Sequence, residues 1–265
     1  MESYKKLNKM AWEEAFSHSS ENYLKKPEEA LKKDPKSLLS PILKAMLEKV
    51  ELKQKTLGQF CCNNGRETLA LMNYGLSKST GFDIADNMVR YANDLAAKLN
   101  LNADFYSTDI LAIKPSNHQP FDIGLFTIGA LTWFESIDQV IEHVSTLIKS
   151  GGYLLIEDSH PYTTMLATPD EKDFDKKHPK KLIYDYFKDT PWIETTGMGY
   201  MSEKAYESKT FVSFSHTLSS IFNALREHGF IIEYFEEHPI DISNMFPHLN
   251  HQGIPLSYGL VAKKR

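Results

Sequence analysis

The chain has 265 residues, a formal net charge of −5 at pH 7 and a pI near 6.1. This length is enough for one large hydrophobic core with a smaller appended lobe. The acidic charge gives no electrostatic reason to expect binding to nucleic acid or to an anionic membrane. No apolar run approaches the ~20 residues that a membrane span needs, and the first residues lack the apolar region of a signal peptide. We therefore expect a soluble, cytoplasmic protein.

The cysteine content also favours a reducing compartment. The two cysteines of the chain, Cys61 and Cys62, are adjacent, and adjacent cysteines rarely form a relaxed disulfide. No second cluster of cysteine and histidine occurs at metal-ligand spacing. We expect two free thiols and no bound metal ion.

Hydrophobic periodicity predicts helices first and then an alternation of strands and helices. Residues 1–50 have an amphipathic helical pattern, interrupted at Pro27, Pro35 and Pro41. The glycine pair at 151–152 breaks the chain before the fifth apolar run. The elements predicted after residue 50 are, in chain order, strand 57–62, helix 66–74, strand 78–83, helix 86–99, strand 103–106, strand 121–127, helix 136–149 and strand 153–159. This alternation predicts a parallel sheet with helices on both faces.

The alternation stops at Pro161. Residues 161–212 are rich in Lys, Asp, Tyr, Thr and Gly and contain few long apolar runs. We interpret them as an insertion that folds over the sheet rather than as an independent domain. A helical pattern returns at 216–230, and two final strands flank a loop at 239–255. Because no long helix joins these two strands, we expect them to form an antiparallel hairpin.

The segment 57–71, LGQFCCNNGRETLAL, says most about function. A strand, a turn of small residues that ends on Gly65, and a helix start follow one another, so free backbone N–H groups face a ligand. Asp83 ends the second strand, where a carboxylate can accept hydrogen bonds from both hydroxyls of a ribose. The dinucleotide fingerprint G-x-G-x-x-G and the lysine of a phosphate-binding loop are absent. The segment therefore suits a nucleoside without phosphate groups and disfavours a nicotinamide dehydrogenase.

In combination, these motifs resemble the class I S-adenosylmethionine-dependent methyltransferases, and most closely a bacterial subgroup of small-molecule-type enzymes. The resemblance covers most of the chain after about residue 55. It is carried by the strand and loop at 57–65, Asp83, Asp109, FDIGLFTIGALTWF at 121–134, LIKSGGYLLIEDSHP at 147–161, SFSHTLSSIFNAL at 213–225 and YFEEHP at 234–239.

The resemblance implies an α/β fold: a doubly wound, seven-stranded, Rossmann-like sheet that is mostly parallel with an antiparallel terminal strand. It implies N-terminal helices and an insertion after the fifth strand. Residues 1–50 would cover the cofactor cleft, residues 51–265 would form the methyltransferase domain, and the insertion at 161–212 would be a lid over the acceptor site. S-adenosylmethionine would be the cofactor and S-adenosylhomocysteine the product.

The family's motifs also imply the cofactor-binding residues. They are Trp12, Gln59, Cys61, Asn63, Gly65, Asp83, Ile84, Met88, Asp109, Ile110, Thr127, Ile128 and Gly129. The usual first motif has an acidic residue followed by three alternating glycines, and here those positions are Gln59, Cys61, Asn63 and Gly65. Trp12 and Met88 also fit ordinary packing positions, and Asp109 also fits a turn cap.

Methyl transfer requires few side chains, because the sulfonium already carries an activated methyl group. A general base helps where the acceptor is a hydroxyl, thiol or ammonium group. His160 after the fifth strand is the first candidate, and His216 before the next helix is the second. The segment TIGA at 127–130 lacks the polar residue and prolines with which amino-methylating enzymes hold a flipped base.

We therefore expect a methyltransferase that acts on a small molecule and binds neither nucleic acid nor membrane. The alternative is a non-catalytic regulatory protein that binds S-adenosylmethionine or S-adenosylhomocysteine. The sequence leaves open the acceptor and the choice between monomer and dimer.

Overall fold

A computed structural model describes residues 3–265, so the first two residues of the predicted 1–50 segment lie outside the described residues. Three helices come first: α1 Tyr4–Ser17, α2 Glu21–Lys33 and α3 Pro41–Leu47. The predicted interruption at Pro27 is wrong, because this proline lies buried inside α2. The predicted breaks at Pro35 and Pro41 are confirmed, since Pro35 opens a short 3-10 helix and Pro41 opens α3.

Seven strands form one mixed sheet: β1 Thr56–Phe60, β2 Lys78–Asp83, β3 Ala103–Ser107, β4 Phe121–Phe126, β5 Ile148–Ser159, β8 Phe230–His238 and β9 Ser257–Lys264. Their spatial order is β3-β2-β1-β4-β5-β9-β8. Strand β9 runs antiparallel to both of its neighbours, β5 and β8, and the other six strands point in the opposite direction to it. The carboxyl ends of β1 to β5 therefore lie at one edge of the sheet, where open α/β sheets bind ligands.

Helices cover both faces of this sheet, as the alternation predicts. The short helix α4 Arg66–Leu71 follows β1, and α5 Asp86–Lys98 follows β2. Side chains of α3, α4 and α5 share one buried cluster with Leu57, Ile123 and Leu155 of the strands. On the other face, α6 Ile137–Thr146 and α8 Leu218–Glu227 pack on Phe60, Phe126 and Ile156. The doubly wound fold is thus confirmed.

The structure also corrects the predicted ends of two strands. The strand predicted at 57–62 ends at Phe60, because residues 61–65 form a tight turn. The glycine pair at 151–152 does not precede the fifth strand but lies within β5, where the pairing with β4 shifts register between Phe121 and Ile123.

The insertion contains a second, two-stranded antiparallel sheet of β6 Trp192–Thr196 and β7 Glu207–Ser213, with the short helix α7 Gly199–Ser202 between the strands. The sequence did not predict this hairpin. It packs on α1, where the buried Asn8 side chain donates to the carbonyl of Val212 at 2.8 Å and accepts from its N–H at 2.7 Å. Throughout residues 3–265, no helix combines the length and the apolar character needed to cross a membrane.

Candidate functional site

The turn after β1 has left-handed backbone at alternating positions. The φ angles of Cys61, Asn63 and Gly65 are 58°, 51° and 75°. Left-handed φ is uncommon for residues other than glycine, and asparagine tolerates it better than most. The backbone therefore keeps the form of a glycine-rich turn although two of the three expected glycines are missing. The turn leads into the N-terminus of α4, as expected from the sequence.

Asp83, at the end of β2, holds this turn. Its Oδ2 accepts from the N–H of Asn63 at 2.8 Å, and its Oδ1 accepts from the N–H of Ala85 at 3.0 Å. The residue is buried, and burial raises the pKa of its carboxyl group to about 6. A carboxylate has about four acceptor positions, so the two backbone bonds leave capacity for a ligand.

Gln59 replaces the acidic residue that the resemblance leads one to expect in β1. Its side chain is fully buried; the Nε2 atom donates to Thr127 at 3.1 Å and the Oε1 atom accepts from the hydroxyl of Thr68. The amide of Gln59 in β1 thus connects helix α4 to the end of β4. Because both ends of the amide already have partners, we interpret Gln59 as a residue that supports the structure of the site.

Asp109 and Ile110 follow β3, where the sequence placed them. Asp109 caps a short 3-10 helix by accepting from the N–H of Leu111, and Ile110 is buried. The other carboxylate oxygen accepts from Lys5 Nζ of α1 at 2.6 Å. The lysine was not anticipated, because the two residues lie 104 positions apart in the sequence.

Helix α1 crosses the same edge of the sheet. Lys9 Nζ donates to the carbonyl of Ile84 at 2.9 Å and pairs with Asp86 at 2.8 Å. Trp12 lies edge-on to Trp133 and Phe211, with ring centroids 5.2 and 5.3 Å away. The same apolar cluster contains the fully buried Met88 of α5. The structure therefore brings Trp12 of α1 and Met88 of α5 into one apolar cluster, and the carbonyl of Ile84 lies against the same helix α1.

Thr127, Ile128 and Gly129 form the turn after β4. Gly129 has a φ of 77°, and a Cβ atom at this position would meet nothing within 4 Å beyond its adjacent residues. Its N–H donates to Asp158 Oδ1, at the end of β5, at 2.8 Å. The open space beside Gly129 leaves room for a ligand to approach the backbone.

The two candidate histidines both have polar partners within the protein. Nδ1 of the buried His160 accepts from the N–H of Tyr162 at 3.0 Å, and Nε2 lies 2.8 Å from Glu237 Oε1. His216 Nε2 lies 2.9 Å from the carbonyl of Phe134. Burial lowers the pKa of both imidazoles, and Glu237 opposes this effect at His160.

Tyr23 of α2 contacts the turn at 61–65, and the sequence did not indicate this contact. Its hydroxyl donates to Asn63 Oδ1 and accepts from Asn64 Nδ2, both at 3.3 Å.

The thiol of Cys62 is buried in the core, and burial raises its pKa well above the usual range. A thiol in this environment is a packing group, as the sequence suggested.

The alternating left-handed turn, the buried carboxylate at the end of β2 and the seven-stranded order define a class I methyltransferase fold. Residues 59–197, more than half of the chain, match the family described as methyltransferase domain. The chain belongs to this family.

Solved structures of methyltransferases are similar in fold. An S-adenosylmethionine-dependent methyltransferase of Mesorhizobium loti is 20% identical, with 89% of this chain and 100% of that chain covered at a TM-score of 0.63. A SAM-dependent methyltransferase of Methanosarcina mazei is 18% identical, with coverage of 85% and 98% and a TM-score of 0.59. A geranyl diphosphate C-methyltransferase of Streptomyces coelicolor, solved with S-adenosylhomocysteine, is 9% identical, with coverage of 84% and 76% and a TM-score of 0.56. A search among curated proteins gave no match.

Proposed function

We propose that the protein transfers a methyl group from S-adenosylmethionine to a small-molecule acceptor in the cytoplasm. The observation that carries this proposal is the turn at residues 61–65, with left-handed backbone at three alternating positions and its central N–H bound to Asp83. The turn lies at the edge of the sheet where ligands bind, and it carries no phosphate-binding lysine. This suits a nucleoside that carries a sulfonium group instead of phosphates. The free thiols of Cys61 and Cys62 are consistent with a reducing compartment.

The residues present fit this cofactor. Asp83 has acceptor capacity for the ribose hydroxyls, Asp109 and Ile110 after β3 would contact adenine, and the open space beside Gly129 would take the methionine half. S-adenosylmethionine supplies a methyl group activated by its positive sulfur. The chain's own task is then to align the acceptor with this methyl group and to exclude water.

Helix α1 and the insertion at 161–212 are the cover of the cleft in this proposal. The Asn8–Val212 hydrogen bonds and the packing of Trp12 on Phe211 support a joint role for the two segments. A cover of this kind excludes water from the reacting methyl group. The insertion would also contribute to the acceptor side, because it leaves the sheet beside the end of β5.

His160 is our first candidate for a proton acceptor, and His216 is the second. His160 follows β5 directly and is therefore fixed by the sheet. Its ring nitrogens already contact Tyr162 and Glu237, so it accepts a proton only if one of these contacts opens. Turnover of His160→Ala and His216→Ala decides between them: loss of a general base lowers kcat by ~100-fold with cofactor affinity unchanged.

Calorimetry with S-adenosylmethionine, S-adenosylhomocysteine and NAD tests the cofactor, and transfer of a labelled methyl group across a panel of metabolites tests the activity. We expect binding of both sulfur nucleosides and transfer to at least one small molecule. Binding of NAD alone would refute the proposal. Binding of the sulfur nucleosides without transfer to any acceptor would favour the non-catalytic regulatory protein instead.

A further inference from the structure

Asp158, near the end of β5, is a buried carboxylate whose hydrogen bonds reach into the turn after β4. Its Oδ1 accepts from the N–H groups of Gly129 and Ser159, both at 2.8 Å. Its Oδ2 accepts from the N–H of Leu131 at 3.4 Å. Two of the three donors, Gly129 and Leu131, therefore lie in the segment after β4 rather than in the strand that carries the carboxylate.

A carboxylate in this position costs free energy, because burial removes water from the charge. Burial raises the pKa of the Asp158 carboxyl group to about 6, while the three backbone bonds oppose this change. In return, the N–H groups of Gly129 and Leu131 find an acceptor that the turn's own carbonyls do not provide. The left-handed backbone of Gly129 is thus held from outside by one side chain.

The side chain of Tyr258 does not hydrogen-bond to Asp158, although the two residues lie opposite each other in the antiparallel pair of β5 and β9. Its hydroxyl is buried and has no hydrogen-bond partner among residues 3–265. The hydrogen bonds that the Asp158 carboxylate accepts therefore come from backbone N–H groups alone. Tyr258 is a suitable control position, because it lies beside Asp158 but makes no hydrogen bond to the turn after β4.

We propose that Asp158 is a positioning residue for the methionine half of the cofactor. It fixes the backbone of Gly129, beside which the structure has open space, and so sets where the reacting methyl group lies relative to the acceptor. This inference rests on the proposed cofactor. It assigns the nucleoside half to other residues, chiefly Asp83 and Asp109, which Asp158 does not contact.

The two halves of the cofactor can be tested separately with S-adenosylhomocysteine and adenosine as calorimetric ligands. Asp158→Ala removes all three acceptor contacts and should weaken S-adenosylhomocysteine binding by roughly 10-fold or more, with adenosine affinity unchanged. Asp158→Asn keeps one carbonyl oxygen that can accept both 2.8 Å bonds, so it should restore most of the affinity. Tyr258→Phe, the control, should bind both ligands as the unaltered protein does.

Unchanged S-adenosylhomocysteine affinity in Asp158→Ala would overturn the inference, and so would an equal loss for both ligands. If the unaltered protein bound neither ligand, the proposed function itself would fail. Should Asp158→Ala not fold, amide hydrogen exchange of the unaltered protein gives the answer. Slower exchange at Gly129 and Leu131 with S-adenosylhomocysteine than with adenosine supports the role, and equal exchange refutes it.

Discussion

Gly65 and Gly129 have nearly the same backbone conformation, with φ of 75° and 77°, but different surroundings. A Cβ atom at Gly65 would lie 2.6 Å from the Phe105 ring and 2.9 Å from Ala92, whereas one at Gly129 would meet nothing within 4 Å. Both substitutions carry the strain of a left-handed alanine, and only Gly65→Ala adds a clash. The requirement for glycine at position 65 is therefore one of conformation and of space.

We expect Gly65→Ala to lower the free energy of unfolding by about 3 kcal/mol or more and Gly129→Ala by about 1 kcal/mol, because only the first adds overpacking to strain. Urea denaturation of the two variants measures both values under the same conditions. Equal losses would mean that the contact with Phe105 relaxes without cost.

Asp83→Ala should weaken S-adenosylhomocysteine binding by about 1.5–3 kcal/mol, because hydrogen bonds to a charged group are lost. Calorimetry on folded protein measures this change. Asp104→Ala in β3 is the control, since its carboxylate makes an exposed ion pair with Lys78. An unchanged affinity in folded Asp83→Ala would remove this residue from the site.

The alternating strands and helices could be predicted because hydrophobic periodicity is a property of the local sequence. The second strand has the predicted bounds, Lys78–Asp83, and α5 ends within one residue of its prediction. The β6–β7 hairpin was not predictable, because four of the five residues of β6 are exposed and give no alternating pattern. Its packing partner α1 lies about two hundred positions earlier in the chain.

In the candidate site, Gly65 and Gly129 follow strands and Asp83 ends one, so their positions could be predicted from the strand ends. Lys5 and Tyr23 could not, because their contacts with Asp109 and Asn63 depend on how separate helices pack on the sheet. The left-handed backbone at Cys61 could likewise not be predicted, since a cysteine does not indicate a positive φ.

The hydrogen bonds between Asn8 and Val212 hold α1 against the β6–β7 hairpin. Asn8→Ala leaves the buried N–H and C=O groups of Val212 without their partner, which costs about 1–3 kcal/mol for each unpaired group. Hydrogen exchange should therefore become faster in β7 and α1, while β1 and β4 keep their protection. Lys25→Ala, which removes an exposed ion pair of α2, is the control and should leave β7 unchanged.

For the whole molecule, buried carboxyl groups influence the pH dependence of stability. Glu157 in β5 is 2% exposed and accepts from the hydroxyl of Ser40, and burial raises its pKa to about 7. A raised pKa means that the folded protein binds the proton more tightly than the unfolded chain does. The resulting stabilisation is complete below the unfolded pKa near 4.5 and is lost as the pH rises through about 7.

Glu157→Gln removes this ionisation while keeping an oxygen for Ser40. We expect the variant to exceed the unaltered protein by about 1–3 kcal/mol in free energy of unfolding at pH 8 and to show no such gain at pH 4.5. Chemical denaturation at both pH values tests the difference. A gain of the same size at both would mean that charge is not its cause.

The hydrogen bonds between Asn8 and Val212 join positions 204 residues apart, and this separation has a consequence for the order of folding. Contacts between distant positions form late, because a long loop must close before they contribute free energy. The parallel strands should therefore assemble before α1 docks on the hairpin. In a Trp133→Phe, Trp192→Phe variant, Trp12 is the one remaining tryptophan, and its fluorescence reports the docking of α1. During refolding, this fluorescence should recover after the far-ultraviolet circular dichroism, which reports the formation of secondary structure.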